Sequence, residues 1–254
     1  MTRARERMQQ IEPPRISSTE IRRASTVRKR RRRRSRRWFG LILVAGVVVF
    51  ALVAKAQRVL DHSDSFPAPS EATLIDLSVG QRIVTIANSQ VGYNTEPSNS
   101  YCNKFSAYLH AGTSICPSGE TSEEWCADFA AWAWRLAGVN FIYGYGTNQI
   151  NGAAVSFYEW GVAHGEWHPA TSGYVAAPGD VAIYGLSLGV DPSAAHVAIV
   201  TGHVLGQRGP DVVNGDGDKT GFSVVEIGTD QVRAGSDHNN SVLSGYVSQF
   251  GSST

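Results

Sequence analysis

Apolar positions in the second half of the chain recur every second residue, in short runs. Asp180 to Tyr184 (DVAIY), Ala195 to Thr201 (AHVAIVT), Asp211 to Asn214 (DVVN), Phe222 to Ile227 (FSVVEI) and Val242 to Ser248 each read as a β-strand. A Pro178-Gly179 turn introduces the first. The first half has a helical period instead. Ile83, Val84, Ile86, Ala87 and Val91 fall at helical spacing and stop at Gly92. Between Thr121 and Gly138, Trp125, Phe129, Trp132 and Leu136 share one helical face. Thr121-Ser122-Glu123-Glu124 has the T-x-x-E form of a capping box, and Gly138 is the expected stop. A shorter helix is expected around Ala153 to Trp160, and residues 93–120 read as loop. Helices first and strands second predict an α+β fold, an antiparallel sheet packed on helices.

Charge divides the chain differently. Residues 1–37 hold 15 of the 23 Lys and Arg and 3 of the 22 Asp and Glu, a net +12, while the remainder is net −11. The basic run ends at Arg37, and Trp38 to Ala54 (WFGLILVAGVVVFALVA) carries no charge over 17 positions before Lys55. Seventeen helical residues reach about 25 Å, and flanking Arg37 and Lys55 can snorkel, so the stretch is expected to cross a membrane. The positive flank puts the N-terminus in the cytoplasm and residues 56–254 outside. Ala54-Lys55-Ala56 also has the form of a signal-peptidase site, which would release the remainder as a secreted protein. Ser35-Arg36-Arg37-Trp38-Phe39 resembles the start of a twin-arginine signal. The expected organisation is a basic tail (1–37), a membrane segment (38–54), a linker (55–79) and one folded domain (80–254). Nothing aromatic is interleaved in the tail, so a nucleic-acid partner is not expected, and anionic lipid is the simpler contact.

The three cysteines are Cys102, Cys116 and Cys126, all beyond the apolar stretch. In that topology they face an oxidising compartment. Cys102 and Cys116 lie in a stretch rich in Ser, Asn, Gly and Pro, and a bridge between them leaves Cys126 as an odd thiol. Cys126 sits near the start of the predicted Thr121–Gly138 helix, where the helix dipole lowers a thiol's pKa. A nucleophilic thiol also needs a histidine nearby and a third group to fix that histidine's tautomer. Of seven histidines, His62 is in the linker, His110 in a polar loop and His238 in a late loop. His164 and His168 are four apart but lack a metal-binding helix motif. His196 opens an apolar strand, and His203, seven residues on, points to the opposite face of a regular strand.

Three blocks in order, SEEWC126ADFAAWAWRLAGV, APGD180VAIY and AH196VAIVTG, resemble the cysteine- and histidine-dependent amidohydrolase/peptidase (CHAP) family over residues 80–230. The resemblance implies a papain-like fold and a cysteine peptidase or amidase that cleaves amide bonds of bacterial peptidoglycan. It implies Cys126 as nucleophile and His196 as base. The family carries a polar third residue on the next strand, often as E-x-N; here Asn214 takes the first place and Asp216 the second. Glu226, in VVEI one strand later, is the rival. Substrates would be peptide stems or cross-bridges, cut as an N-acetylmuramoyl-L-alanine amidase or as an endopeptidase. A silent wall-binding or scaffold module is the alternative. No cofactor is expected. Asn214-Gly-Asp216-Gly-Asp218 resembles the start of a calcium loop, but Lys219 stands where that loop needs glycine. The folded domain is expected to be monomeric.

Overall fold

A computed structural model describes residues 46–49, 66–98, 100–116, 119–202, 210–218, 223–229 and 242–249. The chain divides into two compact units, Met1–Ala56 and Gln57–Thr254. In the first, only the exposed helical turn at Gly46 to Val49 is described. The expected membrane helix over 38–54 is not borne out: among the described residues no helix is long and apolar enough to cross a membrane. Seventeen apolar residues are already short of the roughly 20 that a span needs. The basic tail and the remainder of that stretch lie outside the described residues.

The second unit is α+β. Its helices are α1 (Glu71–Leu74), α2 (Val79–Asn88), α3 (Lys104–Leu109), α4 (Cys126–Leu136) and α5 (Val155–His164). Its strands are β1 (Cys102–Asn103), β2 (Ser114–Ile115), β3 (Thr121–Ser122), β4 (Trp167–Pro169), β5 (Val181–Tyr184), β6 (His196–Gly202), β7 (Asp211–Asp218), β8 (Ser223–Thr229) and β9 (Leu243–Val247). The large sheet has the order β4-β9-β5-β6-β7-β8 and every pair is antiparallel. A small sheet, β1-β3-β2, precedes α4.

The alternation of β5 to β7 explains their burial. Val181, Ile183, Val197, Ile199 and Val213 join the core shared with the helices. Ala182, Tyr184, Ala198, Val200 and Val212 form a second core on the other face, covered by Tyr174 and Ala176. Helix α4 lies at the centre of the first core. Every residue from Cys126 to Trp134 is buried, because α2, α3 and strands β6 and β7 all pack on it. The sequence showed only its large side chains on one face; the alanines between them are covered too.

Two contacts seat the helices. Trp134 donates its indole N–H to the Gly179 carbonyl at 2.8 Å. Helix α2 begins with a Ser78–Gln81 capping box, and its Gly80 packs against the Pro178 carbonyl oxygen. The turn that launches β5 is therefore held by two helices. On β7, a Cβ added at Gly215 would lie 2.6 Å from Phe129 Cγ, so the absence of a side chain there lets α4 lie directly on the strand.

The expected linker and loops are more ordered than their composition suggested. Phe66 packs edge-on against Tyr93 at 5.9 Å and Leu74 is buried, so the folded body includes described residues before Gly80. Residues 93–120 hold α3 and the small sheet, and β4 pairs with β9 inside a stretch rich in aromatic residues. These pieces are short and fixed by long-range pairing, which leaves no local period to read.

Cys102 and Cys116 form a disulfide, with Cα atoms 5.9 Å apart. Replacing both by serine is expected to lower stability by about 3 kcal/mol, read by chemical denaturation. Gly215→Ala should cost about 1–3 kcal/mol through the clash with Phe129, seen as a lower Tm.

Candidate active site

Cys126 is the first residue of α4 and the one free cysteine; it is 8% exposed. The expected capping box does not form. Thr121 and Ser122 pair with β1 and β2 as strand β3, and the helix begins only at Cys126, with Trp125 at its cap position, too far along for the Thr121 side chain to cap it. The helix start is held from a distance instead. Asp216, on β7, accepts the Trp125 backbone N–H at 3.1 Å. A carboxylate 91 positions along the chain does what the local sequence was expected to do. At the other end Gly138 takes a left-handed conformation (φ +94°), as a helix stop should.

The sulfur of Cys126 meets the backbone N–H of Val197 and of Ala127. Val197 immediately follows His196, so the thiol lies at the head of β6. His196 is buried, and its Nε2 lies 3.2 Å from Asn214 Oδ1 on β7. An amide oxygen only accepts, so Nε2 carries the hydrogen and Nδ1 is the basic ring nitrogen. The ring also faces Tyr184 of β5 at 6.3 Å. Asn214 is fully buried, and its Nδ2 has no partner among the described residues. Glu226, the rival third residue, stands directly across from Asn214 in the β7–β8 register. The two candidates thus occupy paired positions on neighbouring strands, and the hydrogen bond to His196 belongs to Asn214.

One end of the sheet therefore gathers Cys126, His196, Asn214 and Asp216. The other described histidines are elsewhere. His110 ends α3, His164 Nδ1 lies 2.7 Å from the Trp160 carbonyl, and His168 Nε2 lies 3.0 Å from Ser248 Oγ. His62, His203 and His238 lie outside the described residues, as does Lys219 of the calcium-like loop. Among the described residues no group of three or more metal-binding side chains occurs.

The electrostatics differ from the expectation of an activated thiol. Burial pushes the Cys126 thiol up to about 12, and the charges of Asp216 and Asp128 push the same way. The Val197 and Ala127 N–H groups lower it, but by less. In this arrangement the thiol is protonated at neutral pH, and any attack through its sulfur would require a base to take the proton.

The sequence reading missed the groups on the other side of the thiol. Asp128 is fully buried two residues after Cys126. It accepts the Ser106 hydroxyl at 2.5 Å and the Tyr143 hydroxyl. Its signal was present as a lone charge in an otherwise apolar helix, which demands partners.

Asp216→Asn keeps an oxygen acceptor for Trp125 and removes a charge that opposes thiolate formation. The expected result is a Cys126 titration moved down by about half a pH unit, or about threefold faster iodoacetamide alkylation at a fixed pH below it. Mass spectrometry of the modified peptide reads this rate.

The chain matches no family model, no curated protein and no solved structure.

Proposed function

We propose that this protein is a cysteine hydrolase that cleaves amide bonds in peptidoglycan. The observation that carries the reading is the arrangement of three side chains. A lone thiol starts a buried helix, and it abuts the strand whose first residue is a histidine. That histidine is oriented by an asparagine amide on the next strand. The peptidoglycan substrate rests on the resemblance of residues 80–230 to the CHAP family.

In the proposed reaction, His196 Nδ1 takes the thiol proton as the Cys126 sulfur attacks the amide carbon. The backbone N–H of Cys126, at the helix start, faces the developing oxyanion. The carbon–nitrogen bond breaks, the proton passes from Nδ1 to the leaving amine, and a thioester remains. Water then attacks the thioester while His196 takes its proton. The carboxylic acid leaves and the thiol is restored. Asn214 holds the ring through Nε2, so that Nδ1 stays the basic nitrogen throughout. The disulfide suits an oxidising compartment, where bacterial wall polymers lie.

The buried, protonated thiol also favours a second reading, a wall-binding module without turnover. Digestion of sacculi by the wild-type chain, beside Cys126→Ala and Asn214→Ala, separates the two. The expected result is new termini with wild type, loss of at least about a thousandfold with Cys126→Ala, and a fall of about 10- to 1000-fold in kcat with Asn214→Ala. Fragment masses tell amidase from endopeptidase. Binding without release by every form, across several wall chemotypes and with the thiol reduced, would establish the binding module instead.

A further inference from the structure

The loop from Ile142 to Ile150 is closed by its own hydrogen bonds. Gly144 donates its N–H to the Ile150 carbonyl at 2.9 Å, and Ile150 donates to the Ile142 carbonyl at 3.2 Å. Gln149 folds back over the turn. Its Oε1 accepts the Gly146 N–H at 3.0 Å, and its backbone N–H donates to the Gly146 carbonyl at 3.2 Å. At the base, the Tyr143 hydroxyl donates to buried Asp128. The tip of this braced loop carries Tyr145, which is 76% exposed. Such a ring adds little to the core. Held on a fixed backbone, it offers contact area to a ligand at small cost in entropy.

Tyr145 lines an open cleft of about 600 Å³ between this loop and α5, a size that suits a small ligand. Tyr158 of α5 supplies a second ring, set edge-on against Trp167 at 5.0 Å. Val162, 52% exposed, adds apolar surface beside it. The polar lining includes Asn148, Asn151 and Glu159. Asn151 Oδ1 accepts the Ala153 N–H at 2.9 Å, which leaves its Nδ2 to donate elsewhere. Among the described lining residues Glu159 is the one charged group, and there is no Lys, Arg or His. A phosphate or a free carboxylate would meet a like charge and no cation. An amine would gain one carboxylate in an open cleft, which is worth little. Two rings, two amides and one acceptor carboxylate fit a neutral ligand with hydroxyl groups and a flat apolar face.

We infer that the cleft between the 142–150 loop and α5 is a saccharide-binding site, and that it takes neutral oligosaccharides bearing acetamido groups. The C–H face of a pyranose ring rests on Tyr145 and Tyr158. Sugar hydroxyls donate to the Glu159 carboxylate, and an acetamido carbonyl accepts from an asparagine amide. The inference uses no step of the hydrolysis proposed above. It deepens that reading only in naming a glycan as the part of the substrate this cleft holds. A wall glycan and a free N-acetylglucosamine chain share the chemistry.

Calorimetric titration of the full chain tests this with three probes. Chitotetraose carries acetamido groups, cellotetraose has the same linkage without them, and an Ala-Glu-Lys-Ala peptide has amides and an amine but no sugar. Chitotetraose is expected to bind with a Kd of about 1 mM or tighter, and cellotetraose about fivefold more weakly. Tyr145→Ala should weaken chitotetraose binding about tenfold, and Tyr145→Trp should keep it. No chitotetraose binding up to about 10 mM overturns the proposal, as does equal affinity for the two sugars or for wild type and Tyr145→Ala. Peptide binding that is lost in Tyr145→Ala also overturns it, since the cleft is then a peptide site. Should Tyr145→Ala fail to fold by circular dichroism, Val162→Arg decides: weaker chitotetraose binding sustains the proposal, and unchanged binding overturns it. Sedimentation of Cys126→Ala with sacculi, with and without Tyr145→Ala, identifies the source. Loss with Tyr145→Ala assigns the site to the wall glycan, and retention assigns it to free oligosaccharide. A chain that binds chitotetraose through Tyr145 yet releases nothing from sacculi loses the proposed hydrolysis and keeps this inference; hydrolysis without that binding does the reverse.

Discussion

Everything at the proposed site depends on how α4 lies on β7. Gly215 offers no side chain, so Phe129 and its helix come down onto the strand backbone. The next residue, Asp216, then reaches the Trp125 N–H and fixes where the helix begins. The residue before, Asn214, reaches His196 on the neighbouring strand. Three consecutive residues of one strand thus place the helix, hold its first turn and orient the imidazole. A helix–sheet contact elsewhere in the domain stabilises the fold; this one also sets the relation between thiol and base. Asp216 adopts a left-handed conformation (φ 58°) at the irregularity between Asn214 and Gly217, and this frees its side chain from the regular β7–β8 ladder.

The helix dipole does not settle the state of the thiol. The positive end of α4 favours a thiolate, yet burial is the largest influence on Cys126, and two carboxylates reinforce it. The same Asp216 that caps the helix opposes ionisation, so the cap and the activation of the thiol are in tension. Asp128 adds to that tension, and the Ser106 and Tyr143 hydroxyls donate to it. An uncharged thiol is the resting state that these influences favour. In the proposed reaction, charge separation then arises on the way to the transition state and not in the ground state.

Much of this was legible along the chain where the signal was local. The alternation in DVAIY, AHVAIVT and FSVVEI gave β5, β6 and β8 to within about two residues, and odd-cysteine counting isolated Cys126. The pairing of Cys102 with Cys116 was read from their separation of 14 residues in a loop-like stretch, and it is this pairing that leaves Cys126 over. What failed was local sequence overruled by distant contacts. Thr121 to Glu124 has the letters of a capping box, but Thr121 and Ser122 are taken by a small sheet and the helix starts only at Cys126. The cap came instead from Asp216, which no helix motif could reveal. Strand β4 has three residues, too few for a period, and its partner β9 is about 80 positions away. The apolar run at 38–54 had composition in its favour, yet no described helix is long and apolar enough to cross a membrane.

The disulfide and the free thiol are linked by the chain between them. Cys102 begins β1 and Cys116 directly follows β2, and both strands pair with β3. From β3 only Glu123, Glu124 and Trp125 remain before Cys126. The bridge therefore braces the sheet from which the chain enters α4, and it restrains Glu123 at the same time. A compartment that keeps this bridge oxidised is hostile to an unpaired cysteine. Burial answers that hostility, since a thiol that is 8% exposed and held protonated reacts poorly with disulfides and oxidants. In the proposed mechanism, the burial that makes Cys126 depend on His196 for activation thus also protects it, and only a substrate that brings its carbonyl to the head of β6 gains from the thiol.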